Sequence, residues 1–210
     1  MELTAAQVLR LNGDMKRDSP LMEAVRRVHA LSSSRGLPYC VIGGVAVIRN
    51  GYARTTVDVD ILTYKSEWTK VLPLSGDISS EGIDSCVDNA TGVRIDVLFA
   101  DEDWGMVMPM PDPRRTSEFD EELGANFIGL HALVQLKTAV YLDKLREHGP
   151  ATAAKDLADV QALMTNNLDK FSIEVIRNYD PGVKKHCMKV LKEVESTARA
   201  KKRRREGIEL

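Results

Sequence analysis

The chain has 210 residues and a net charge of −2. That length allows one domain with an appendage, or two small ones, with a sizeable buried core. The charge balance excludes a chain that coats nucleic acid through bulk charge. No apolar stretch reaches the roughly 18 residues of a membrane span, and no signal-peptide core is legible at the start. Cys40, Cys86 and Cys187 are scattered and lack Cys-x-x-Cys spacing, so a reducing, cytoplasmic setting is expected.

Residues 4–11 carry a short helical run. Ser19-Pro20 offers a cap and a favoured first helical residue, and Leu21, Val25, Val28 and Leu31 follow at helical spacing to about Ser33. Residues 35–38 end that helix. Tyr39-Cys40-Val41-Ile42 is an apolar run expected as a buried strand. Gly43-Gly44 turns it into a short helix over 45–50, closed by Gly51. In Thr55-Thr56-Val57-Asp58-Val59-Asp60-Ile61, polar and apolar residues alternate with the period of a strand. Val57, Val59 and Ile61 are expected to face the core.

Residues 66–72 are expected as a helix capped by Ser66. Residues 78–99 are expected as a strand and a hairpin that turns at Asn89-Ala90-Thr91-Gly92. Residues 106–115 hold three prolines and are expected as a loop. From Leu130 the pattern is helical. Leu130, Leu133, Lys137, Val140 and Tyr141 share one side of a helix ending near His148-Gly149-Pro150. A second helix is expected over 152–164, and two more split by Pro181-Gly182. The basic run Lys201–Arg205 is expected as a solvated end. The division expected is a core domain over 1–125, a helical region over 126–200 and a flexible basic tail over 201–210.

Asp58 and Asp60 would lie on one strand face, roughly 7 Å apart. Two carboxylates at that spacing repel unless a cation or water stands between them. The glycine pair upstream lets the backbone approach a phosphate. Magnesium joins the two functions, because it takes few protein carboxylates and completes its shell with phosphate oxygens and water. Asp96, on the alternating run 91–99, is the candidate third carboxylate. Asp84 and Asp88 on the adjacent run are its competitors. Three carboxylates on neighbouring strands can hold two ions about 4 Å apart.

These residues, Gly43-Gly44, then Arg54-x-Thr56-x-Asp58-x-Asp60, then Arg94-x-Asp96, resemble the nucleotidyltransferases of the DNA polymerase β superfamily. The resemblance is nearest to small prokaryotic stand-alone members, including the toxin-like branch of abortive-infection systems. It covers about residues 39–99, with a weaker part over 130–164. It implies an α/β (α+β) fold: a nucleotidyltransferase-type mixed sheet flanked by helices, with a C-terminal helical region. It implies a nucleoside triphosphate (ATP among them) as substrate and two magnesium ions held by Asp58, Asp60 and Asp96, which also carry catalysis. Gly43, Gly44, Arg54, Thr56 and Lys137 would contact the nucleotide. Many members carry serine where Gly44 stands, and its hydroxyl contacts the triphosphate.

The resemblance implies transfer of a nucleoside monophosphate to a hydroxyl. RNA, with tRNA first, ranks ahead of a small molecule such as an antibiotic or a protein side chain. A toxin-like role would bring an antitoxin protein as partner. From a different class, the rival is a non-catalytic nucleotide-sensing or partner-binding module. Lys155, Asp156 and Asp159 are expected as an exposed helix face with ordinary ion pairs. The histidines His29, His131, His148 and His186 are scattered without ligand spacing and are given no catalytic work.

Overall fold

The computed structural model describes residues 19–72 and 76–205. The helical run expected over residues 4–11 lies outside the described residues. These divide into two units, one holding residues 19–49, 53–104 and 110–133, the other 50–52, 105–109 and 134–205.

The first unit is built on a seven-stranded mixed sheet. Helix α1 (Pro20–Arg35) opens it. Ser19 accepts from the Met22 N–H, Pro20 fills the first turn, and Gly36, at φ 63°, closes the last turn in the left-handed region. Met22, Ala24, Val25 and Val28 are buried, and the helix lies against strands β2 and β7, defined below. Strand β1 (Tyr39–Ile42) is buried at every position, as a central strand covered on both faces must be. Helix α2 (Gly43–Arg49) follows without a loop. Strand β2 (Asp58–Thr63) runs back antiparallel to β1, with Ile42 opposite Asp60.

The expected helix over 66–72 is instead the single turn α3 (Lys65–Trp68), preceded by Tyr64. The Asp101 carboxylate caps it, accepting from the N–H groups of Lys65 at 2.6 Å and Ser66 at 3.1 Å. A cap supplied from so far along the chain leaves no local signature. The hairpin expected before residue 99 is present: β4 (Ser85–Asp88) pairs antiparallel with β5 (Arg94–Phe99), and β3 (Ile78–Ser80) adds an outer strand. Strand β5 then pairs in parallel with β2.

The proline-rich loop ends in one turn, α4 (Pro113–Thr116), capped by Asp112. A hairpin that the sequence did not announce follows, β6 (Ser117–Asp120) and β7 (Ala125–Ile128), with β7 parallel to β1. Arg49 holds this hairpin, with Nε 2.7 Å from Asp120 Oδ2 and its guanidinium 5.1 Å from the centre of the Phe127 ring. The strand order is β3-β4-β5-β2-β1-β7-β6.

Helix α5 (Leu130–His148) starts in the first unit and continues into the second. The second unit adds α6 (Pro150–Asn166), α7 (Ile173–Arg177) and α8 (Pro181–Arg205). Its core includes Val160, Leu163, Met164, Ile176, Val183, Val190 and Leu191. The basic run Lys201–Arg205 continues α8 to its end.

The three cysteines are buried thiols; burial pushes Cys40 up to about 12 and Cys86 and Cys187 to about 11. No helix among the described residues is long and apolar enough to cross a membrane.

Candidate active site

The site sits where β1 stops. Gly43 has φ +60°, a conformation L side chains rarely adopt, and the Asp60 carboxylate occupies the space its Cβ would need. The next glycine is equally confined. A Cβ on Gly44 would fall 2.7 Å from the Thr56 Cβ, closer still to the Thr56 hydroxyl, and 2.8 Å from an Arg54 terminal nitrogen. The glycine pair is therefore roofed by Asp60, Thr56 and Arg54. Gly43→Ala is expected to lower stability by about 1–2 kcal/mol from the backbone alone, with a further loss as Asp60 is displaced. Denaturant unfolding measures both.

Asp58 and Asp60 are half-exposed while Val59 and Ile61 between and after them are buried, so the alternation holds inside the strand. Val57 departs from expectation. It precedes β2 and is half-exposed, because the buried side chain at that corner is Thr56. Thr56 Oγ1 donates to Asp58 Oδ1 at 2.9 Å. Arg54 donates from Nη1 to the Thr55 carbonyl at 3.1 Å.

Strand register supplies the third carboxylate. Asp96 pairs directly with Asp60 across β5 and β2, and Arg94 pairs with Asp58. Neighbouring strands lie about 4.8 Å apart, so the three carboxylates share one half-exposed face. The competing Asp88 is fully buried. It is paired with Arg27 Nη1 at 2.6 Å and accepts from the Thr91 hydroxyl, which gives it a structural task. Asp84 is exposed and precedes β4.

Sequence reasoning missed the place of Arg94. Its Nε donates to Asp96 Oδ1 at 2.6 Å. The bond and the charge of Asp96, helped by Glu81 and Asp58, hold the guanidinium above its ordinary range. The available signal was spacing: residues two apart on a strand share a face.

Among the described residues, no three His, Cys, Asp or Glu side chains are gathered closely enough to hold a metal ion. The side chains turn to protein partners instead: Asp58 to Thr56, Asp96 to Arg94, and Asp60 over Gly43. In chemistry and register they nonetheless fit a hard cation, since all three donors are carboxylates on one face.

Lys137 belongs to the second unit. Its ammonium lies 3.1 Å from Asp156 Oδ1 and 2.9 Å from Asp159 Oδ2, and Lys144 approaches Asp156 Oδ2 at 2.7 Å. Asp156 and Asp159 are 2% and 1% exposed, which corrects the expectation of an exposed helix face; only Lys155 is exposed as expected. Two carboxylates can be buried there because two ammonium groups neutralise them. His29 is bonded to the Tyr39 hydroxyl and Ser33, and His186 packs on Tyr141.

Solved structures of similar shape place the fold. An antigenic nucleotidyltransferase-like protein from Paracoccidioides brasiliensis superposes with a TM-score of 0.51 at 18% identity, over 70% of this chain and 76% of that one. The chain has a nucleotidyltransferase fold. Two structures of ANT(2'')-Ia are also similar. One, in complex with adenylyl-2''-tobramycin, has a TM-score of 0.48 at 15% identity over 84% of this chain and 98% of that one. The other, a solution structure of that antibiotic-resistance factor, has a TM-score of 0.48 at 14% identity over 89% and 97%. No protein-family model and no curated protein sequence matches the chain. In this nucleotidyltransferase fold, β1 leads into the glycine pair at the start of α2, and β2 and β5 carry the three aspartates.

Proposed function

We propose that the chain is a magnesium-dependent nucleotidyltransferase that moves a nucleoside monophosphate from a nucleoside triphosphate to a hydroxyl. The observation that carries this reading is the register: Ile42, one residue before Gly43, pairs with Asp60, and Asp60 pairs with Asp96. The glycine turn, roofed by Asp60, Thr56 and Arg54, thus stands beside three carboxylates on one face.

In this reading Asp58, Asp60 and Asp96 hold the metal. Magnesium, when bound, neutralises the triphosphate and the leaving pyrophosphate and lowers the pKa of the attacking hydroxyl. The Gly43 and Gly44 backbone lies along the phosphates, and Arg54 adds positive charge there. Asp96, whose Oδ1 is engaged by Arg94, takes the acceptor proton on Oδ2. The acceptor oxygen then bonds to the α-phosphorus, the bond to the β-phosphate oxygen breaks, and pyrophosphate leaves. Positioning and fixed charge do most of the work. Lys137 keeps its ammonium for Asp156 and Asp159, so its role in this reading is structural.

The acceptor is best taken as a small-molecule hydroxyl, ahead of the RNA that the motif resemblance favoured. RNA binding draws on Lys and Arg side chains that neutralise phosphates. Here Arg27, Arg49, Arg94, Lys137 and Lys144 are all held in ion pairs, and the net charge is −2. A toxin-like role and an antitoxin partner rest on the motif resemblance alone, carried by the run from Arg54 to Asp60 and by the Gly43-Gly44 pair.

The test supplies the purified protein with magnesium and each α-labelled nucleoside triphosphate, with either a panel of polyhydroxylated small molecules or total RNA. Pyrophosphate release matched by label on a small molecule, and absent in Asp58→Asn, is the expected result. Label on RNA would reverse the acceptor order and keep the chemistry. No pyrophosphate with any acceptor overturns the proposal in favour of a binding module.

A further inference from the structure

Thr56 links the two halves of the site. It is a polar side chain only 6% exposed, placed just before β2 begins. Its hydroxyl donates to Asp58 Oδ1 at 2.9 Å. The same side chain fills the space above Gly44, where an added Cβ would stand 2.7 Å from the Thr56 Cβ and nearer to its oxygen. A β-branched residue has few χ1 alternatives, so it cannot easily swing clear.

We propose that Thr56 is the positioning residue of the carboxylate site. Its O–H fixes the Asp58 carboxylate through Oδ1 and leaves Oδ2 directed to a ligand, while its bulk makes glycine obligatory at position 44. The hydroxyl beside the glycine turn thus comes from the segment that leads into β2 rather than from residue 44. The inference rests on the carboxylate face being a divalent-cation site.

A hydrogen bond to a charged group is worth enough for about a ten-fold change in an equilibrium. Manganese alone is the probe, with binding to the full chain followed by electron paramagnetic resonance and folding by thermal unfolding. Thr56→Val keeps the shape and removes the O–H, and is expected to weaken manganese binding about ten-fold. Thr56→Ser keeps the O–H and is expected to stay within about two-fold of the parent. A purely structural role would not separate these two variants in that order. The steric half is tested without Thr56→Val: Gly44→Ala is expected to lose manganese binding and melting temperature, and Gly44→Ala/Thr56→Gly to recover both in part.

Equal binding by Thr56→Val and the parent overturns the hydroxyl role, as does Thr56→Ser falling with Thr56→Val. If Gly44→Ala costs no more in the parent than in the Thr56→Gly background, the steric role is overturned. If the parent chain itself binds no manganese, the reading of the carboxylate face has failed, an outcome distinct from the other three.

Discussion

Asp60→Asn is expected to reduce nucleotidyl transfer by on the order of 10²–10³-fold or more while the protein stays folded. Asp60 stands opposite both Ile42 and Asp96 and over Gly43, so its charge is central to the proposed chemistry. Asparagine preserves its shape and β2 pairing but removes the charge. The variant should also melt at the same temperature or slightly higher, because one of three neighbouring like charges is gone. Pyrophosphate release beside a thermal melt reads both effects. Full activity in a folded Asp60→Asn protein would mean that the carboxylate face is an ordinary solvated strand face.

Lys137→Met is expected to destabilise the second unit by about 3–5 kcal/mol. Methionine fills much of the lysine stem, so packing is largely kept and the loss is electrostatic. Asp156 and Asp159 would remain buried, with Lys144 close to Asp156. The Asp156 carboxyl reports the same balance. Burial pushes its pKa up, but the charge of Lys137 and the hydrogen bonds from Lys144 and Lys137 outweigh burial and hold it below the ordinary 3.8. A depressed folded-state pKa gives stability that is present above 3.8 and is lost as pH falls through the folded value. Acid unfolding of the parent should therefore show a drop below about pH 4 that is blunted in Lys137→Met. Denaturant melts from neutral pH down through the acid transition measure it. A variant as stable as the parent, but with a raised KM for the nucleotide, would return Lys137 to the triphosphate role that the motif resemblance implied.

The elements near the site were legible because short-range rules govern them. Tyr39–Ile42 is uniformly apolar, and the run to Ile61 alternates. The turn between Asp88 and Arg94 carries its own residues, so the β4–β5 hairpin could be placed, and with it Asp96 beside the pair. What escaped depends on partners distant in sequence. The hairpin β6–β7 has a mostly exposed, charged outer strand, Ser117-Glu118-Phe119-Asp120, with no apolar alternation to announce it. The position of α3 is set by Asp101. The burial of Asp156 and Asp159 is set by Lys137 and Lys144, one helix earlier. The motif resemblance assigns Thr56 to the nucleotide; its bond to Asp58 and its close approach to Gly44 depend on the fold and are not legible in the sequence.

The way the chain is shared between its units bears on how such a protein can be divided or recombined. Residues 50–52 and 105–109 are grouped with the helices although sheet residues flank them on both sides. The Asn50 and Gly51 carbonyls accept from the Asn167 and Asn166 side-chain amides, and Gly182 packs against the Val107 carbonyl. A chain cut just before residue 134 would strip those short segments of their partners within the helical unit. Graftable fragments would have to carry the helices with them, and homologous exchange within this architecture should favour whole-chain replacement over swapping of halves.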